Sequence, residues 1–203
     1  MLKLIPYRFL FLTLSVLAGS ARAEITLGNA TYQGTGCPPG SVEIVSTPDQ
    51  TALSVLYSQF SVQVAPRKST NKICSVKVPI LNIPYDKMVL ISQSDFQGFV
   101  SLPRKGAFAT FKGESILRRK GQLIGYDIFF KKVFAPFADN FYTDRLKKFG
   151  LKSGCGGSAE LEIKTRIGIV NPTKESASFT IDTSNLVSDS ESPLRINLAY
   201  CRP

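Results

Sequence analysis

Ser69-Thr70-Asn71-Lys72 has the spacing that, on a helix, sets a nucleophilic serine one turn from a lysine. That chemistry needs the helix, and the surrounding stretch Pro66 to Asn71 reads instead as a polar, basic loop. No Lys-Thr-Gly follows; the nearest match is Lys164-Thr165-Arg166. Two carboxylate pairs, Glu160 with Glu162 and Asp139 with Asp144, could supply acid and base for glycoside hydrolysis without histidine. Glu160 and Glu162 alternate with Leu161 and Ile163, which is the pattern of a strand's solvated face. The chain also lacks Trp, a common sugar platform. Asp182, Asp189 and Glu191 lie close in sequence among Ser and Thr and are oxygen ligands of the type calcium takes, but without EF-hand spacing. These patterns assign no catalytic residue, no metal ligand and no cofactor.

The chain has 203 residues, a net charge of +10 and no His. The absence of His excludes Ser-His-Asp triads, zinc sites with His ligands and histidine pH switches. The charge is uneven. Residues 24–66 hold three acids and no Lys or Arg, whereas residues 67–152 hold 17 basic and 6 acidic residues. Within that middle third, Arg118-Arg119-Lys120, Lys131-Lys132 and Lys147-Lys148 are interleaved with Phe129, Phe130, Phe134, Phe137 and Tyr142. In a cytosolic protein, cations among aromatics would suggest nucleic acid. In an exported one the polyanions within reach are envelope polysaccharides and anionic lipid surfaces, toward which a coherent basic patch concentrates the protein. The seven residues Arg118, Arg119, Lys120, Lys131, Lys132, Lys147 and Lys148 are the anion-binding candidates. The plain alternative is that the cations are scattered and solvated and the aromatics are core.

Export is legible at the N-terminus. Lys3 and Arg8 precede an apolar run, Phe9 to Ala18, interrupted only by Thr13 and Ser15. Ala21-Arg22-Ala23 then has the small-x-small pattern of a signal-peptidase site, so residues 1–23 read as a signal peptide cleaved after Ala23. The run is shorter than the roughly 20 residues a membrane span needs. Residues 24–203 are expected to form a single domain. All four cysteines, Cys37, Cys74, Cys155 and Cys201, fall in that part, and an even count in an exported chain implies two disulfides. Four cysteines allow three pairings, and spacing does not choose among them. Cys37–Cys74 with Cys155–Cys201 is preferred, each bond contributing about 3–4 kcal/mol in the chain-entropy model. Asn29-Ala30-Thr31 is a lone glycosylation sequon.

Short apolar runs separated by turn residues predict an all-β chain of about ten strands, a two-sheet antiparallel sandwich. Expected strands include Ser41 to Val45, Ala52 to Val64, Cys74 to Ile80, Val89 to Ser92, Phe99 to Leu102, Phe108 to Phe111, Leu123 to Val133, Glu160 to Val170, Ser178 to Ile181 and Leu194 to Tyr200. Pro79 cannot donate to a ladder and marks its strand as an edge or a bulge. Asp139 to Phe149 reads either as a short helix, with Asp139 as N-cap and Gly150 as stop, or as a strand through Phe141-Tyr142-Thr143 followed by a basic loop, and the helical turn is preferred.

Several stretches in order along the chain resemble the secreted proteins grouped as domain of unknown function 4360. They are Gly36-Cys37-Pro38-Pro39-Gly40-Ser41-Val42, Leu53 to Ser58, Lys72-Ile73-Cys74, Phe96 to Leu102, Pro136-Phe137 leading to Phe141-Tyr142, Cys155-Gly156-Gly157 and Tyr200-Cys201. The resemblance implies an exported β-rich domain with two disulfides and implies no activity. Where the family commonly has a Trp before its third and fourth cysteines, this chain has Leu151 and Ala199 nearby. The leading expectation is a non-enzymatic envelope or extracellular binding module. Its basic surface would face anionic polysaccharide or lipid, with no nucleic-acid partner and no membrane span. A histidine-free secreted hydrolase acting on polysaccharide and a structural surface component are the alternatives.

Overall fold

A computed structural model describes residues 25–48, 52–93, 95–143, 146–184 and 194–201. The proposed signal peptide lies outside them. Thirteen strands and no helix are found among the described residues: β1 (Thr26–Leu27), β2 (Thr31–Gln33), β3 (Val42–Ser46), β4 (Ala52–Tyr57), β5 (Ser61–Val64), β6 (Lys68–Gln93), β7 (Phe96–Leu102), β8 (Phe108–Arg119), β9 (Gln122–Phe134), β10 (Phe137–Thr143), β11 (Leu146–Asn171), β12 (Ala177–Ser184) and β13 (Leu194–Tyr200). All pairings are antiparallel. Sheet A runs β9-β8-β11-β6, with β1, β2 and β13 also on β6. Sheet B runs β10-β7-β12, with β4 and β5 on β12 and β3 on β4.

β13 belongs to both sheets. Leu194 and Arg195 pair with β4, and Ile196 to Tyr200 pair with β6. The path therefore ends at β9 on one side and β10 on the other, and these two strands do not pair, so the sandwich is not closed into a barrel. Lys131 of β9 spans that seam. Its Nζ donates to the Tyr142 carbonyl of β10 at 2.7 Å and stands 5.0 Å from the Phe141 ring centroid. A cation turned toward the sandwich on a terminal strand is a common way to keep an edge from pairing with another chain.

Between the sheets lies the core that the period-two alternation foretells. β11 contributes Leu161, Ile163, Ile167 and Ile169, and β6 contributes Val76, Val78 and Ile80, all buried. Sheet B answers with Val62, Val100, Leu102, Phe179 and Ile181. A chain of rings crosses the interior: Phe96 to Phe111 at 4.8 Å, Phe111 to Phe141 at 5.2 Å and Phe141 to Phe179 at 4.9 Å. Tilted pairs of this type add about 0.5–1.5 kcal/mol each beyond their burial. The disulfides are Cys37–Cys74 and Cys155–Cys201, the preferred pairing.

Five local expectations are corrected, in whole or in part. The preferred helix over Asp139 to Phe149 is not found among the described residues and the rival strand is: β10 pairs with β7 from Phe137↔Leu102 to Thr143↔Phe96, and β11 begins at Leu146. Burial of Phe141 between Phe111 and Phe179 outweighs the local capping signal. The long strand over Ala52 to Val64 breaks into β4 and β5, because the chain turns in to bury Phe60, whose ring lies where a Cβ on Gly36 would stand. The loop over Pro66 to Asn71 is shorter than expected, since β6 starts at Lys68 and runs unbroken into the segment expected as a separate strand at Val89. Pro79 is not at an edge, although the bulge it also allowed is present, since the β6–β11 register shifts between Ile80 and Ile83. β6 has β11 on one side and β1 with β2 on the other, and the Pro79 carbonyl accepts from Gly28 N–H at 2.8 Å. N–H and C=O of one strand residue point to the same side, so the missing donor falls in the gap between β1 and β2, where no ladder bond is lost. Finally, Gly98, which stands just before the strand expected from Phe99 to Leu102, lies within β7. A Cβ there would meet the Thr180 carbonyl oxygen at 1.9 Å, so only glycine allows this pairing with β12.

Candidate functional site

The register of sheet A sorts the basic middle third into separate places. β8 and β9 form a hairpin whose loop is Lys120-Gly121, with Arg119 opposite Gln122. Both loop residues have positive φ (48° and 78°), as the tightest hairpin turns require. At this tip Arg118 pairs with Glu162 of β11, whose other oxygen accepts from Ser75 Oγ at 2.7 Å. Arg119 donates to the carbonyls of Cys155 and Gly156, both at 2.9 Å. Lys131 is turned inward at the seam. Lys132 lies at the other end of the hairpin, opposite Thr110 on β8, some ten residues or about 33 Å along the strand from the tip. The structure thus does not bring Lys131 and Lys132 together with Arg118, Arg119 and Lys120. The side chains of Lys147 and Lys148 lie outside the described residues.

What the structure assembles around Lys132 is the outer face of sheet A. Ile124, Tyr126, Ile128, Phe130, Lys132 and Phe134 alternate along β9 toward solvent. The rings of Tyr126, Phe130 and Phe134 are 45%, 60% and 63% exposed. Four residues of strand separate each ring from the next, about 13 Å. The Lys132 ammonium stands 3.7 Å from the Phe108 centroid and 4.9 Å from that of Phe134. Such contacts hold a cation over ring faces at about 0.5–1 kcal/mol when exposed. Lys112 of β8 lies opposite Phe130 on one side and Arg166 of β11 on the other. Lys164 lies opposite Glu114.

Charge on this face is partly self-compensated. The described residues of β6, β8, β9 and β11 place Lys77, Lys112, Arg118, Lys132, Lys164 and Arg166 there with Glu114, Glu160 and Glu162, a surplus of three positive charges. Lys112 pairs with Glu114 at 2.8 Å, Lys77 with Glu160 at 4.0 Å and Arg118 with Glu162. Each carboxylate thus has a cation beside it, and the surplus falls to Lys132, Lys164 and Arg166. Tyr126 Oη donates to Glu114 Oε1 at 2.6 Å, which orients that ring. This bond, more than the nearby charges, raises the Tyr126 pKa above the usual phenol range. Partial burial by itself would raise the Glu114 carboxyl, but hydrogen bonds from Lys112 and Tyr126 and the charges of Lys112 and Lys164 outweigh it, leaving the pKa low. Glu162 behaves alike: burial opposes ionisation, and the bonds from Ser75 and Arg118 with the charges of Arg118 and Lys77 hold its pKa below the ordinary range.

The catalytic candidates are not poised for chemistry. A glycosidase acid needs a raised pKa, whereas Glu162 is depressed and Glu160 is paired beside it. Asp139 is exposed on β10, and Asp144 lies outside the described residues. Ser69 and Lys72, three apart on β6, point to opposite faces of the sheet. Asp182 lies on β12, its pKa raised by burial, while Asp189 and Glu191 lie outside the described residues. Among the described residues no three His, Cys, Asp or Glu side chains gather where they could hold a metal ion, and no helix is long and apolar enough to cross a membrane.

Sequence reasoning named Phe130 and Phe134 but missed Tyr126 and the cations Lys112, Lys164 and Arg166 on the same face. The signal was present in the alternation of β11, where Lys164 and Arg166 share the face of Glu160 and Glu162. Reading the β9 aromatics as core required a partner sheet on both sides of that strand, and sheet A has one only on its inner face.

The chain is 28% identical over 92 residues to an uncharacterized secreted protein of Arthroderma benhamiae, a match covering 44% of this chain and 37% of that relative. The match therefore spans little more than a third of the relative's length. Among solved structures, a carbohydrate-binding module described for specific mannan recognition aligns over 80% of this chain and 96% of its own, at 11% identity and a TM-score of 0.28. The secreted relative and the two disulfides agree on a location outside the reducing cytosol. A family model matches residues 23–201, and the chain belongs to the family described as Domain of unknown function (DUF4360).

Proposed function

We propose that this exported protein is a non-enzymatic binding module for acidic polysaccharide, and that the outer face of sheet A is its binding surface. Residues 1–23 would be removed as a signal peptide and residues 24–203 would act as one unit. The observation that carries this reading is the exposed aromatic row Tyr126, Phe130 and Phe134, with Lys132 between the last two, Lys112 beside Phe130 and Arg166 one strand further. Rings present apolar faces on which a sugar ring can stack. The neighbouring cations can meet its carboxylates or sulfates, and the strand pleat keeps both sets on one plane. An apolar stripe of this length on a solvated face costs solubility, which is the usual mark of an interaction surface.

The test is retention of the exported protein on immobilised polygalacturonate through a salt series, with Phe130→Ala/Phe134→Ala and Lys132→Gln beside it. Retention that weakens with salt and falls about tenfold in the aromatic double variant supports the reading. Retention equal in all three proteins overturns it. Binding to anionic-lipid vesicles but not to polygalacturonate also overturns it, in favour of a membrane surface.

A further inference from the structure

Three loops meet at the end of the sandwich remote from the hairpin tip. One is the turn between β5 and β6, another joins β7 to β8, and the third joins β11 to β12. Arg67 N–H donates to the Thr173 carbonyl at 3.0 Å, Arg104 pairs with Glu175, and Pro172 Cγ stands 3.5 Å from where a Cβ on Gly106 would lie. The third loop is held from within by Asn171, which is 1% exposed. Its Nδ2 donates to the Glu175 carbonyl at 2.6 Å, and its Oδ1 accepts from Thr173 N–H at 3.2 Å and Thr173 Oγ1 at 2.7 Å. These bonds fix the loop without using a cation.

Between the first and third loops lies a shallow cleft of 350 Å³ lined by Arg67, Lys68, Ser69, Val170, Asn171 and Pro172. The three loops bring Arg67, Lys68, Arg104, Lys105 and Lys174 to this end. Glu175 is their one carboxylate, and Arg104 neutralises it. Arg67 follows Pro66 and has a φ of 58°, at a turn position that favours Gly or Asn. A bulky cation held in the left-handed region at the mouth of a basic cleft points to a use for its guanidinium.

We propose that this cleft is an anion site that takes the carboxylate, sulfate or phosphate substituent of a glycan lying on the outer face of sheet A. The identity of that glycan rests on the function proposed above; the anion site itself does not. Geometry links the two. Ser69 and Val170 of the cleft are in cross-strand register with Phe108 and then Phe134, so the cleft and the last exposed ring share one row across four neighbouring strands. Ser69 thus lies about 14 Å from Phe134. A ligand stacked on Phe134 and reaching across the sheet meets Ser69 and then the turn that carries Arg67, while Lys68, on the alternate face, lines the cleft from the end of the sandwich.

The experiment is a titration of the exported protein with inorganic sulfate, followed by backbone amide resonances, in wild type and in Arg67→Gly/Lys68→Gln. Glycine suits the left-handed backbone at position 67, so the variant keeps its fold. The expected result is a saturable shift at the amides of Ser69 and Val170, at least about tenfold weaker in the variant. Shifts of equal size at Arg119 and Lys120, or a cleft response unchanged in the variant, would overturn the site. A galacturonate oligomer, a sulfated disaccharide and a sugar phosphate are then each competed against sulfate. Displacement by any of them supports the glycan assignment and identifies the substituent, whereas displacement by none overturns it. If Phe130→Ala/Phe134→Ala leaves oligomer binding unchanged while sulfate still saturates the cleft, the aromatic surface fails and the anion site survives.

Discussion

The two ends of the β8–β9 hairpin carry the same residue types and use them differently. At the tip, Arg118 and Arg119 are engaged by Glu162 and by two backbone carbonyls beside the Cys155–Cys201 disulfide. At the other end Lys132 stands over the Phe108 and Phe134 rings, and no carboxylate among the described residues pairs with it. A cation's availability is therefore set by what the neighbouring strand offers. The tip is built as a clamp that ties β8 to β11, including its segment around Cys155. The far end leaves its charge unneutralised, as the proposed binding surface requires.

The largest expected effect comes from removing the element that spaces the two ends. Phe111 packs against Phe96, Phe129 and Phe141, and Phe111→Ala should cost about 3–5 kcal/mol in denaturant unfolding, weakening both ends together. A loss under about 1 kcal/mol would mean that the rings do not join the two sheets. Next in size is the clamp. Glu162→Gln should cost about 1–2 kcal/mol at neutral pH, because Arg118 loses a partly buried charged partner. Glu162 and Glu114 titrate lower in the folded chain than in the unfolded one. Their contribution is therefore complete above the unfolded carboxylate pKa of about 4.3 and is lost as pH falls below it toward the folded values. The Glu162→Gln variant should lose less stability than wild type over that acid window, as urea midpoints at pH 6 and pH 3 would show.

Smaller effects on stability but larger ones on binding are expected at the far end. Phe130→Ala/Phe134→Ala should shift the unfolding free energy by no more than about 0.5 kcal/mol, since both rings face solvent, while weakening polygalacturonate binding about tenfold. Smallest of all is the contrast between single lysines. Lys132→Gln should weaken binding roughly threefold, and Lys120→Gln at the tip should leave it within measurement scatter, about 1.5-fold. Equal losses at the two lysines would erase the distinction between clamp and surface and return weight to a diffuse basic field.

Much of the frame is legible without coordinates. Alternation in Glu160 to Val170 gives both the strand and its buried side, because period two is a local property of extended backbone. β13 falls on Leu194 to Tyr200, the stretch expected from its apolar alternation and its lead into Cys201. Local signals failed where a distant ring set the outcome. Phe141 drew Asp139 to Thr143 into a strand against a capping residue that favoured a helix, and Phe60 broke a run that alternated well on either side. Pro79 misled for a different reason, since its missing donor matters only if a partner strand stands opposite, and the gap between β1 and β2 removes that partner.

The sequence by itself determined the exported frame, the β class, the cysteine count and the excess of positive charge, all of which depend on residue type and near-neighbour order. Only the tertiary structure decided which cations are engaged and which are available. Arg118 meets Glu162 across 44 residues of chain, and Lys68 meets Asn171 at the far end of the β6–β11 ladder. Such encounters are fixed by strand register, which follows from burying one face of every strand at once, and no local stretch of sequence contains that information.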